Sequence, residues 1–93
     1  MGKFGVKIEK LAENDLKRHF KVGNKATISK INKILEELTI DPYTGTGNPE
    51  QLKYELQGFW SRKINQKDRM IYKVNESIVT VFVISAMGHY SDK

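Results

Sequence analysis

The spacing of apolar residues changes once along this chain, and that change decides its class of fold. From Leu11 to Leu38 apolar positions recur at helical steps of three and four; after Pro49 they fall into short runs that read as strands. The join is residues 41–49, DPYTGTGNP. This segment holds both of the chain's prolines and two of its glycines, which marks a structured loop.

Upstream of the loop, Leu11, Ala12, Leu16 and Phe20 build one helical face, closed by Gly23-Asn24, glycine being suited to a left-handed cap. Ile28, Ile31, Ile34, Leu35 and Leu38 mark a second helix. Asp41-Pro42 ends it, because the residue before proline is pushed out of the helical region. Helices linked so closely form a hairpin. Ahead of them, Phe4, Val6 and Ile8 alternate with Gly5, Lys7 and Glu9, the pattern of a half-buried strand. Downstream come the runs Gln51–Leu56, Phe59–Asn65, Arg69–Val74 and Ile78–Ser85. The breaks between them are too short for a parallel crossover, so these strands are expected to pair antiparallel. Ile78–Ile84 is apolar throughout except at Thr80 and reads as a central strand covered on both faces. The expectation is one α+β domain over residues 1–93. It has an N-terminal strand, then a two-helix hairpin packed on one face of a twisted, mainly antiparallel sheet of four to five strands.

Composition narrows the function classes. Hydrophobic residues at 39% are too many for a disordered tail. The longest apolar stretch falls far short of the roughly 20 residues of a membrane span, and no signal peptide is visible, so a cytoplasmic protein without membrane contact is expected. The absence of cysteine excludes disulfides, thiolate zinc sites and thiol nucleophiles. Only two histidines, far apart in sequence, offer no metal site, and no cofactor is called for. The net charge of +5 favours a polyanionic partner, nucleic acid ahead of anionic membrane. Most of that excess is concentrated in residues 51–75, in Lys53, Arg62, Lys63, Lys67, Arg69 and Lys73.

Within this stretch a few residues are equipped for chemistry. Glu50, at the exit of the loop, is placed to act as a general base and is equally at home as a solvated charge. His89, between Gly88 and Tyr90, belongs to the residue type that exchanges protons near neutrality, although by itself it reads first as a surface histidine near the C-terminus. His19, near the end of the first helix, reads as structural. Arg62, Lys63 and Arg69 lie on successive strands; a phosphate-binding patch and a solubilising edge look alike at this level. Phe59, Trp60, Tyr72 and Tyr90 interleave with the cations, as in proteins that stack unpaired bases, though most of the four are expected in the core.

Taken in order, these residues resemble one family. Gly47-Asn48-Pro49-Glu50-Gln51-Leu52-Lys53, Leu56-Gln57-Gly58-Phe59-Trp60-Ser61-Arg62-Lys63-Ile64, Arg69-Met70-Ile71-Tyr72 and a final His89-Tyr90 are similar to the YoeB/Txe-type toxins of the RelE superfamily. These are toxins of bacterial type II toxin–antitoxin systems. The resemblance implies a RelE-like fold and a metal-independent endoribonuclease that cuts mRNA in the ribosomal A site. Attack of the 2′-hydroxyl on the adjacent phosphate would leave a 2′,3′-cyclic phosphate and a 5′-hydroxyl. It assigns the base to Glu50, the phosphate-binding arginine to Arg69, the acid to His89 and a supporting tyrosine to Tyr90. Lys53, Arg62 and Lys63 would bind substrate. A cognate antitoxin is the implied protein partner, and a homodimer stays open.

The chain departs from the family pattern at four places. Met87 stands where an arginine is common, Arg62-Lys63 replaces an Arg-Arg pair, Ser91-Asp92-Lys93 follows the tyrosine, and early tryptophans are missing. Two alternatives remain: a non-catalytic toxin on the same fold, like the ParE-type gyrase inhibitors, and a degenerate binding module.

Overall fold

The computed structural model of the chain describes residues 3–88. Strand β1 (Gly5–Ile8) leads into helices α1 (Lys10–Val22) and α2 (Lys25–Leu38). After the loop come β2 (Glu50–Gln51), a single 3-10 turn (Tyr54–Leu56), β3 (Phe59–Lys63), β4 (Arg69–Asn75) and β5 (Thr80–Ser85). The five strands form one sheet in the order β1-β5-β4-β3-β2. The three pairings from β2 through β5 are antiparallel and β1 runs parallel to β5. The mainly antiparallel α+β architecture expected from the sequence is the one observed.

Local chemistry sets the helix boundaries. Gly23 adopts φ 79° and its N–H donates to the His19 carbonyl, closing α1. Asn24 then accepts from the Thr27 N–H at 3.0 Å and opens α2.

The core lies between the helices and one face of the sheet. Ala12 and Leu16 of α1 and Ile31, Ile34 and Leu38 of α2 pack with Met70, Tyr72, Val81 and Val83. Each fully buried large aliphatic side chain contributes roughly 1.5–3 kcal/mol, so this layer fixes which sheet face points inward. The opposite face carries Phe59, Ser61 and Lys63 of β3 with their register partners Lys73, Ile71 and Arg69 of β4. No helix covers it among the described residues.

Four expectations require correction. The run Gln51–Leu56 is not one strand: extension stops at Gln51, and Tyr54 at φ 59° turns the chain into the 3-10 turn. Ile78 and Val79 precede β5 instead of opening it. The Asn75 side chain accepts from the Ser77 and Ile78 N–H groups, making a turn that leaves Ile78 57% exposed. The buried face of α1 is Ala12, Asp15, Leu16 and His19, whereas Leu11 and Phe20 are exposed. Nor is β5 fully covered: Val81 and Val83 point into the core, but Phe82 and Ile84 are only half-buried.

Candidate functional site

Arg62 belongs to the inward-facing row of β3, and its side chain is wholly buried. All five of its N–H donors find acceptors. Nη1 donates to Glu37 Oε1 at 2.7 Å and to the Thr46 carbonyl at 3.1 Å. Nη2 donates to the carbonyls of Thr44 at 2.7 Å and Asp41 at 3.2 Å, and Nε to the Tyr72 hydroxyl at 3.0 Å. The Tyr72 hydroxyl in turn donates a hydrogen bond to the Pro42 carbonyl at 2.7 Å. The loop that precedes Glu50 is therefore wrapped around a guanidinium. This corrects the expectation that Arg62 joins the exposed cations: its charge is spent inside the molecule, and only Lys63 of the Arg62-Lys63 pair faces solvent.

Glu37 completes the loop anchor by accepting from the Thr46 N–H and hydroxyl, both at 2.7 Å. Burial pushes its carboxyl up, but the hydrogen bonds from Thr46 and Arg62 outweigh this and hold it below its ordinary value. Beyond Thr46, Gly47 takes φ 87° and its carbonyl accepts the Lys63 N–H at 2.7 Å. A Cβ at Gly47 would lie 2.8 Å from the Lys63 carbonyl oxygen, so the close approach of loop to strand requires glycine. Three residues later Glu50 pairs with Ser61 at the sheet edge.

Cross-strand partners share a face, so Glu50, Ser61 and Ile71 form one row on the side away from the helices, exposed at Glu50 and buried at Ser61 and Ile71, with Lys63 and Arg69 in the next. There Glu50 Oε1 and Arg69 Nη1 stand 3.8 Å apart, with the two side chains 53% and 27% exposed. An ion pair so open to water contributes about 0–1 kcal/mol, too little to be its own explanation. Lys63 and Lys73 are exposed on the same face, and Lys73 Nζ lies 5.7 Å from the Phe59 ring centroid. Lys53 is exposed past the end of β2, beside a hollow of about 360 Å³ that Tyr54 and Gly58 also line. A second hollow of about 320 Å³, lined by Leu56, Phe59, Ile71, Ile84 and Met87, opens on the face that carries Arg69. It is apolar, and Gly88 forms part of its wall.

The chain then leaves β5 under close control. The Arg69 N–H donates to the Gly88 carbonyl at 2.8 Å, and the Gly88 N–H donates to Asp68 Oδ1 at 2.8 Å. Burial pushes the Asp68 carboxyl up, but the bonds from Gly88 and Asn65, with the charges of His19 and Lys67, hold it below its ordinary value. His89 and Tyr90 lie outside the described residues. Among the described residues no group of three His, Asp or Glu side chains stands close enough to hold a metal ion.

The family model described as a YoeB-like toxin of bacterial type II toxin–antitoxin system matches residues 9–90. The chain belongs to the YoeB toxin family. A Toxin YoeB from Synechocystis is 34% identical over 85 residues, covering 87% of this chain and 96% of its own. Among solved structures, a YoeB/ParE toxin from Agrobacterium tumefaciens superposes with a TM-score of 0.83 at 28% identity, covering 94% of this chain and all of that one. The toxin of a YoeB–YefM complex from Staphylococcus aureus gives 0.76 at 32% identity, covering 94% of this chain and 98% of that one. The chain is thus a toxin of a type II toxin–antitoxin system.

Within this YoeB-type fold the structure joins Glu50 to Arg69, sets Lys63 beside Arg69 in register, and keeps Arg62 away from the surface. Sequence reasoning missed Glu37, Asp15 and Asp68. Asp15 carries a usable signal, since a carboxylate between Ala12 and Leu16 on an apolar helical stripe demands a buried partner.

Proposed function

We propose that this YoeB-family toxin is an endoribonuclease that cleaves mRNA in the A site of the translating ribosome without a metal ion. The observation that carries the reading is the meeting of Glu50 and Arg69, from distant parts of the chain, on an exposed basic face. Glu50 takes the proton of a ribose 2′-hydroxyl, whose oxygen then attacks the adjacent phosphorus. Arg69 stabilises the charge that gathers on the phosphorane oxygens, its fork donating two hydrogen bonds where an ammonium could direct only a point charge. His89, next in sequence after Gly88, protonates the departing 5′-oxygen as the P–O5′ bond breaks. The products are a 2′,3′-cyclic phosphate and a 5′-hydroxyl. Lys53 and Lys63 hold neighbouring phosphates, and Tyr90 stacks on a base.

The basic face is also a surface for a neutralising antitoxin, as in the YoeB–YefM complex of the Staphylococcus relative. An acidic segment that orders on binding suits it by charge. Action on the ribosome places the toxin in the cytoplasm.

The test is the chemistry of mRNA ends in a translating extract given purified toxin. Cyclic phosphate ends within translated codons are expected, with Glu50→Gln lowering the cleavage rate by about 10²–10⁴-fold while leaving antitoxin binding intact. Intact mRNA with wild-type protein would reject the nuclease reading, and DNA damage in its place would support a gyrase inhibitor on the same fold.

A further inference from the structure

Past β2 the backbone takes a strained path. Leu52 still bonds to β3, its N–H donating to the Phe59 carbonyl at 2.9 Å, and Tyr54 then turns the chain at φ 59°. A left-handed backbone crowds the Cβ of a bulky residue, whereas glycine adopts it freely and asparagine readily. Either would serve the Tyr54–Leu56 turn better than tyrosine does. Packing does not account for the residue, since Tyr54 is 73% exposed. An aromatic ring that serves neither the turn nor the core is left facing solvent.

The hollow of about 360 Å³ at this turn is mixed in character. Leu52 and Tyr54 supply apolar wall, Gln51 and Gln57 bring carboxamides that donate and accept, and Lys53 brings a cation. The wall at Gly58 is bare: a Cβ there would meet nothing within 4 Å, which leaves room for a flat ring over the backbone. A nucleobase is flat, carries donors and acceptors on its edges and is tethered to phosphates. An aromatic side chain beside a cation is how single strands are held.

Sheet register sets the hollow in relation to Glu50 and Arg69. Glu50 pairs with Ser61; Arg69 pairs with Lys63, two residues from Ser61 in one direction, while Phe59, bonded to Leu52, lies two residues in the other. Along the strands, therefore, Glu50 stands between Arg69 and the hollow. In the reaction proposed above, Arg69 holds the scissile phosphate and Glu50 meets the 2′-hydroxyl on its 5′ side. A single strand continued through those two points reaches Tyr54 in its 5′ direction.

We infer that Tyr54 and Lys53 form an RNA subsite, in which the tyrosine ring stacks on an unpaired mRNA base upstream of the cut and the ammonium holds its phosphate. The inference rests on the nuclease reading for the polarity of the strand.

Tyr54→Asn relieves the backbone and removes the ring, so it should melt no lower than wild type; Tyr54→Phe keeps the ring. On ribosomes programmed with mRNA, Tyr54→Asn is expected to raise KM by about 5–150-fold, as loss of one stacked base would, with kcat unchanged. Tyr54→Phe should recover the wild-type KM. An mRNA abasic just upstream of the cut should erase the difference between Tyr54→Asn and wild type, and one abasic just downstream should preserve it. Equal KM for Tyr54→Asn and wild type, or a difference erased only by the downstream abasic site, would overturn the subsite. A second readout needs no cleavage. Glu50→Gln toxin on ribosomes carrying 2-aminopurine in the A-site codon should quench its fluorescence more strongly than the same protein with Tyr54→Asn added. Equal quenching rejects the stacking even where mRNA is cut. Wild-type toxin that leaves mRNA intact defeats the nuclease reading, while quenching that depends on Tyr54 still upholds base stacking. Tyr54→Asn protein that loses antitoxin binding, with KM and fluorescence unchanged, would give the hollow to the antitoxin instead.

Discussion

Arg62 and Glu37 meet at 2.7 Å with the arginine side chain entirely out of water, and the loop leading to Glu50 closes around them. Removing the buried arginine leaves Glu37, 25% exposed, without its ion partner, at a cost of at most the roughly 3–5 kcal/mol of breaking a fully buried pair. Arg62→Met is therefore expected to lose about that much in urea unfolding, since the carbonyls of Asp41, Thr44 and Thr46 are orphaned as well. Lys63→Ala, one residue along and exposed, should stay within about 0.5 kcal/mol of wild type. Equal losses from the two substitutions would return Arg62 to the surface role assigned to it from sequence.

The same anchor predicts a pH dependence. Glu37 ionises below its ordinary 4.5 and Asp68 below its ordinary 3.8 in the folded chain. The unfolded chain therefore binds protons first as the solution is acidified. The stability they supply is complete above those ordinary values and drains away as pH falls through the lowered folded ones. The gap in urea midpoint between wild type and Glu37→Gln should be full at neutral pH and shrink in acid; a constant gap would contradict the anchor. At the alkaline end, Tyr43 is pushed up to about 12 by burial and by its hydrogen bond to Glu76. Wild type should lose stability as pH rises from 10 towards that value, and Tyr43→Phe should lose less.

The fold was legible wherever apolar side chains meet their own kind. Ile31, Ile34 and Leu38 announce α2 at helical spacing and all three are fully buried. Helix α1 was read one face out of turn, because Asp15 and His19 occupy its inner stripe and Leu11 and Phe20 do not. A polar residue can line a core only if a distant backbone group satisfies it, and Ala86, far along the chain, is invisible to local periodicity. Arg62 misled for the same reason: a cation in a strand looks exposed until Glu37 and the loop carbonyls are seen around it. Glu50 and Arg69 stood open between a chemical role and a solvated charge until the family resemblance was drawn, since neither spacing nor charge marks a carboxylate that will meet an arginine across two strands.

Gly47 separates crowding from backbone strain. Both Gly47 and Gly58 have positive φ, 87° and 96°, but a Cβ at Gly58 meets nothing within 4 Å. Gly58→Ala should cost about 1–2 kcal/mol, the penalty of the left-handed conformation alone. Gly47→Ala must in addition push the loop off the Lys63 backbone, so it is expected to cost more and to displace Glu50. Paired measurements of unfolding and mRNA cleavage check this, and equal effects on both would show that the contact between loop and β3 is not what sets the position of Glu50.

Ser61 offers the opposite test, of a residue that burdens the fold. Its hydroxyl is fully buried with no hydrogen-bond partner among the described residues, and in the sheet register it lies between Glu50 and Ile71. An unsatisfied buried hydroxyl carries a desolvation penalty of about 1–3 kcal/mol, whereas the alanine that replaces it is only slightly smaller. Ser61→Ala is therefore expected to be neutral or to stabilise by about 1 kcal/mol in urea unfolding. A polar group kept unpaired beside Glu50, the proposed base, suits service in the proposed reaction, so the same variant should cleave mRNA more slowly. A variant that is both more stable and fully active would show the hydroxyl to be idle, and one that is destabilised would show that it has a partner after all.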